Sequence, residues 1–270
     1  MNDHYTLSYR VRNEHQAAPP RVVDVQASRA QIQQFVDEGY FVRERMIDGE
    51  LLKNLRNAVD DIENEERDKQ GKGWHGGFGG LFVRNLLDRH PAFLEMLNYE
   101  PTLSVARALL GPQVQVHAFV MRVAYPGEGQ QVEWHFHQRV VPEPLPPFFS
   151  RPVVVDNLIY LDDTTLDNGP LVVLPRTHLH DNDLYSGDFG DKDGQIVLNL
   201  PAGSCVTSHA SLWHRAMMTQ PTGTRRRLLI LGYSPTWMKP VDRFGGGLTD
   251  SLLANADEQT RELLGLSGYF

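Results

Sequence analysis

From Val114 to Tyr233 the sequence is a succession of short apolar segments separated by turn residues, and this texture narrows the choice of fold more than any other feature. Val114–Tyr125, Glu133–Arg139, Val153–Leu161, Leu171–Leu174, Gln195–Leu200, Ser204–Ser208 and Arg226–Tyr233 all have strand length. Pro126-Gly127-Glu128-Gly129 and Asp167-Asn168-Gly169 read as turns between them. Strands this short and numerous bury their apolar faces by closing a barrel or stacking two sheets. The expected class is mainly β with flanking helices, an all-β barrel or double-sheet jelly roll preceded by helices that cover one sheet.

The helical part comes first. Ser28 and Gln31 form a capping-box pattern ahead of a short helix to Glu38, which Gly39 ends. Tyr40-Phe41-Val42 is strand-like. Asp48 starts a second helix with Leu51, Leu52, Leu55, Val59 and Ile62 at helical spacing, and its charged end, Glu63–Arg67, reads as a solvated face. Further helices are expected at Pro91–Asn98 and Pro101–Leu110, each opening on a proline, with Gly111-Pro112 as the stop. Residues 1–27 are polar and read as a flexible N-terminal arm, which leaves 28–270 as one domain. Lys72–Gly80 is glycine-rich without phosphate-loop spacing and suggests a loop at a pocket mouth, with His75 on the surface or behind the site. Pro142–Phe149 has too many prolines for a central strand and is either a lid or a packed surface loop.

Composition excludes several classes. A formal charge of −8 argues against nucleic acid and anionic membrane surfaces as partners. A single cysteine, Cys205, rules out an internal disulfide and a cysteine-rich zinc site. No stretch approaches the ~18 apolar residues of a membrane span, and the N-terminus has no signal-peptide pattern, so a cytoplasmic location is the default expectation.

The chemistry concentrates in Glu133-Trp134-His135-Phe136-His137-Gln138-Arg139. On a strand, His135 and His137 share a face, so their imidazoles can converge on one ion. The third ligand expected is His214, in Ser211-Leu212-Trp213-His214. Neutral imidazole suits iron, zinc and copper. Of the other histidines, His117 lies on a strand that can face the pocket and touch substrate or cosubstrate. His4, His15, His90, His178, His180 and His209 read as structural or surface residues.

In their order and spacing these pieces resemble the phytanoyl-CoA dioxygenase-like family of iron(II)- and 2-oxoglutarate-dependent oxygenases. The resemblance runs from about residue 29 to the end. It rests on Gln34–Tyr40, Leu110-Gly111-Pro112, Trp134-His135 with Gln138, Leu161-Asp162-Asp163 through Asn168-Gly169-Pro170-Leu171, Leu174–His178, Leu212-Trp213-His214 and Leu263-Leu264-Gly265. It implies a double-stranded β-helix, a jelly-roll (cupin-like) variant, with iron(II) as metal and 2-oxoglutarate and dioxygen as cosubstrates. The family's usual metal site is His-x-Asp…His, and here His137 occupies the carboxylate position. Three readings follow. In the first, His135, His137 and His214 all bind the metal. In the second, the register shifts by two, Arg139 replaces the acid and the site is damaged. In the third, Glu133 supplies the carboxylate, although a strand rise of about 3.3 Å per residue places it roughly 13 Å from His137. Trp134 and Gln138 favour the first.

The resemblance also implies an arginine for the far carboxylate of 2-oxoglutarate at the start of the strand after the distal histidine. Counting back from Tyr233 points to Arg226, and counting forward from His214 points to Arg225. Strand neighbours alternate, so only one can face inward. Tyr125 stands where many relatives have a lysine and offers a hydroxyl instead. The expected activity is oxidation of a small molecule of specialised metabolism. The alternatives are a three-histidine oxygenase without 2-oxoglutarate and a catalytically inactive binding relative. The arm and Gly268-Tyr269-Phe270 are the segments that would meet a partner subunit in a homodimer.

Overall fold

The computed structural model describes residues 4–9, 21–70, 80–127, 130–137, 154–179 and 188–266. His75, Gln138, Arg139, the Pro142–Phe149 segment and Gly268–Phe270 lie outside them.

The N-terminal stretch departs from the flexible arm expected of it. β1 (Tyr5–Tyr9) and β2 (Arg21–Val25) pair antiparallel, with Tyr5 opposite Val25 and Leu7 opposite Val23. The alternation Tyr5-x-Leu7 and Val23-x-Val25 gives the ribbon one apolar face. That face buries against Phe35, Phe41 and Val105, a contact no local sequence signal announces.

The capping box holds as read. In α1 (Arg29–Glu38) the Ser28 hydroxyl accepts from Gln31 N at 3.1 Å and Gln31 Oε1 accepts from Ser28 N at 3.0 Å. Gly39 ends the helix in the left-handed region, φ 87°. β3 (Tyr40–Arg43) and the long α2 (Gly49–Gln70) follow, then β4 (Leu81–Val83). Two 3-10 helices, Leu86–Asp88 and Pro91–Met96, precede α3 (Glu100–Leu110). The second differs from the helix expected over Pro91–Asn98. Its bonds reach three residues back, Phe93 N to His90 O and Leu97 N to Leu94 O, and a tightened turn of this kind is used only in short pieces.

The β portion comprises β5 (Val114–Ala124), β6 (Val132–His135), β7 (Val155–Tyr160), β8 (Leu171–Val173), β9 (Ile196–Leu198), β10 (Cys205–His209), β11 (His214–Ala216) and β12 (Arg226–Pro235). Two short helices close the described chain, α4 (Gly247–Leu253) and α5 (Glu258–Leu263). The strands form a large sheet in the order β3-β10-β7-β12-β5-β4 and a small one in the order β6-β11-β8-β9. All pairings are antiparallel. This is the mainly β jelly roll expected.

Period-two alternation sorts the side chains of the large sheet. Leu229, Leu231 and Tyr233 of β12 face the helices, in a core with Leu55, Val59, Phe93 and Leu103. Leu228 faces the other way, into a cluster with Leu158, Tyr160, Leu171, Val173 and Leu212 that joins the two sheets. Residues in step with Leu228 therefore look into the space between the sheets.

Candidate metal centre

β6 and β11 are neighbours in the small sheet, and His214 lies directly opposite His135. Cross-strand partners on one face have adjacent side chains. The two imidazole centroids are accordingly 4.3 Å apart. On the opposite face of these strands Trp134, Val172 and Trp213 pack together, so an apolar cluster backs the pair. The expectation that His137 continues the same strand does not hold, because β6 ends at His135. His137 reaches the cluster from the following turn, where its backbone N–H donates to Ala210 O at 2.7 Å. Its ring centroid lies 5.4 Å from that of His135 and 4.9 Å from that of His214. One ligand atom from each of the three histidines lies within 4.8 Å of the others.

The tautomers follow from the hydrogen bonds. His135 Nδ1 meets Glu133 O at 2.8 Å, His214 Nδ1 meets Leu212 O at 2.9 Å, and His137 Nδ1 meets Asp156 Oδ2 at 2.7 Å. Each acceptor calls for N–H on Nδ1, which leaves Nε2 as the nitrogen with the lone pair. Burial, then the neighbouring His135 and His137, push the His214 imidazole well below its ordinary pKa, favouring the neutral form that metals require. The donor set thus fits a borderline metal ion. Glu133 takes part through its backbone carbonyl, in contrast to the reading that gave its carboxylate to the metal. Arg139, on which the shifted register depends, lies outside the described residues.

Asp156 was not anticipated. It sits on β7, 4% exposed, within a run that reads as a plain buried strand. Burial pushes its carboxyl up, but the charge and hydrogen bond of His137, with His117 and His214 behind them, leave it below the usual carboxylate range. Gly232 faces it in register from β12, and a Cβ there would stand 2.7 Å from Asp156 Oδ1. His117 on β5 is buried with Nδ1 lacking a hydrogen-bond partner among the described residues. Burial lowers its pKa, partly offset by Asp156 and Asp242.

The two candidate arginines separate cleanly. Arg225 turns to α2 and pairs with Asp60 and Glu63, both at 2.8 Å. Arg226 is in step with Leu228 and faces the space between the sheets, 2% exposed. Its Nε and Nη1 have no hydrogen-bond partner among the described residues. Gly169, at φ 75°, leaves the room it needs, since a Cβ there would lie 2.9 Å from Arg226 Nη1. Arg122 is opposite Leu228 on β5 and shares this face. Burial and the nearby Arg226 push its pKa down to about 9. For Arg226, a buried guanidinium with two nitrogens unsatisfied among the described residues is unfavourable unless a ligand supplies acceptors. Tyr125 is not brought to this point, because it packs against the helix-side core. His178 and His209 form a buried pair with centroids 5.0 Å apart, and His178 Nε2 meets Val36 O at 3.0 Å, a structural tie to α1.

Comparison with known proteins agrees with this fold. HygX from Streptomyces hygroscopicus, solved with nickel and 2-oxoglutarate bound, superimposes with a TM-score of 0.67 at 14% identity, covering 82% of this chain and 92% of its own. A dioxygenase of Aspergillus fumigatus, af480, is 27% identical over 175 residues, 64% of this chain but only 54% of that protein. The chain thus matches about half the length of that relative. L-proline trans-4-hydroxylase of Streptomyces griseoviridis is 23% identical over 218 residues, 70% of this chain and 80% of its own. The family model for phytanoyl-CoA dioxygenase matches residues 35–227, a stretch that contains all three histidines and Arg226. The chain belongs to the phytanoyl-CoA dioxygenase family of iron(II)- and 2-oxoglutarate-dependent oxygenases.

Proposed function

We propose that this protein is an iron(II)- and 2-oxoglutarate-dependent oxygenase that hydroxylates or otherwise oxidises a small molecule. In this reading His135, His137 and His214 hold the metal, and Arg226 receives the far carboxylate of 2-oxoglutarate. The observation that carries it is the imidazole cluster, with candidate ligand atoms within 4.8 Å of one another. Iron(II), when bound, supplies the coupling of 2-oxoglutarate decarboxylation by dioxygen to oxidation of the substrate.

The chain's own residues bind, orient and shield. The backbone acceptors at His135 and His214 fix two ring orientations, which preorganises the donor atoms. Arg226 offers a planar fork suited to a carboxylate, in a dry setting that strengthens the attraction. Leu158, Leu171, Val173 and Leu228 keep water from the space between the sheets. The similarity to a proline hydroxylase supports a small polar substrate.

The three-histidine set also supports a second reading, an oxygenase of this fold that dispenses with 2-oxoglutarate. Protein loaded with iron(II) under nitrogen and then given 2-oxoglutarate and air separates the two. Slow succinate formation, even without a substrate, is the result expected. Oxygen uptake without succinate would favour the second reading, and failure to retain iron would point to a non-catalytic relative.

A further inference from the structure

We propose that Asp156 is the carboxylate of this metal centre set one bond further back, a positioning residue that acts on the ion through His137. The inference rests on the metal-binding reading given above.

Among the three histidines, His135 and His214 meet neutral backbone carbonyls at Nδ1, and His137 meets a carboxylate oxygen at 2.7 Å. His137 is also the residue that stands at the carboxylate position of the family's usual site. Two imidazoles and a carboxylate carry one negative charge to the metal. Three imidazoles carry none, but three imidazoles with Asp156 behind one of them restore the same formal total. A carboxylate accepting from Nδ1–H makes the opposite nitrogen a stronger donor and fixes its direction.

The surroundings are built for this contact. Asp156 is 4% exposed and comes from β7 of the large sheet, whereas His137 follows β6 of the small sheet, so the bond spans the two sheets. A buried carboxylate is retained at a stability cost unless it is paired. The position opposite it, Gly232, is one where a Cβ would press on Asp156 Oδ1 at 2.7 Å. His137 lies outside any strand, and Asp156 and the Ala210 carbonyl are among the contacts that hold it.

Asp156→Asn keeps the shape and removes the charge. Cobalt(II) titration of the full chain, followed by its visible absorption band, is expected to show roughly a 10- to 100-fold loss of affinity. His137→Asp puts a carboxylate directly on the ion. In that background Asp156→Asn is expected to have no further weakening effect, because the outer charge is no longer needed. The contrast between backgrounds separates positioning from a merely structural role and does not depend on the single variant folding well. Asp156→Asn at wild-type affinity, or an equal loss in both backgrounds, would overturn the inference while leaving the metal centre intact. Wild-type protein that takes up no cobalt(II) would overturn the centre and the inference together.

Discussion

Arg225 and Arg226 are adjacent and alike, yet one is tied to Asp60 and Glu63 of α2 and the other is buried with Nε and Nη1 unsatisfied among the described residues. Alternation in the strand said that only one could face inward. It could not say which, because the parity is set by the pairing of β12 with β5 and β7 rather than by β12 itself. Replacing Arg226 by Met removes charged hydrogen bonds each worth about 1.5–3 kcal/mol, so the KM for 2-oxoglutarate is expected to rise about 10- to 100-fold. Arg226→Lys should recover part of this, since a lysine keeps the charge but loses the fork. Arg225→Met removes the partner of part-exposed Asp60 and of buried Glu63, which does not lie on the solvated face expected of it, and should lower stability by about 1–3 kcal/mol with KM unchanged. Steady-state succinate formation checks all three, and equal effects at both positions would contradict the assignment.

Elements with a local chemical signature were readable, and those fixed by distant contacts were not. The α1 capping box and its glycine stop are written in consecutive residues. The β1–β2 ribbon is not, because its apolar face has only two residues per strand and gains its value by covering Phe35 and Phe41. His137 lies beside His135 and His214, but the strand-face argument does not account for it: the strand ends before it, and its ring arrives from a turn. Asp156 was not read from the sequence, although a charge inside an apolar strand run is a feature that calls for a buried partner. The C-terminal helices were likewise unmarked. The anchor of α4 is Asp88, whose carboxylate accepts from Gly245 N, Gly246 N, Thr249 N and Thr249 Oγ1 at 3.3, 3.1, 2.9 and 2.7 Å. Burial opposes its ionisation, but these hydrogen bonds outweigh it and hold the pKa below the ordinary value. A folded-state pKa below the unfolded one means the contribution is fully present above the unfolded aspartate value of about 4, and is lost as pH falls through the folded one. Asp88→Ala should therefore destabilise the protein by about 1–3 kcal/mol near neutral pH and by progressively less in acid. Urea melts at several pH values test this, and a loss independent of pH would contradict it.

On the scale of the whole molecule, the candidate site draws on both sheets. His135 and His214 come from the small sheet, and Asp156 and Arg226 from the large one. The sequence announced the double-sheet architecture through its rhythm of short strands and turns, and the fold it announced explains why histidines 77 positions apart, His137 and His214, can meet. Among the described residues no helix is long and apolar enough to cross a membrane. The central claim is that three imidazoles gather on one ion between the sheets. X-ray absorption on the protein loaded with one equivalent of cobalt(II) tests it most directly, with His137→Ala measured beside the wild type. Three imidazole shells in the wild type and two in the variant, with weaker binding, are the expected result. Two imidazole shells in both proteins, at equal affinity, would contradict the account.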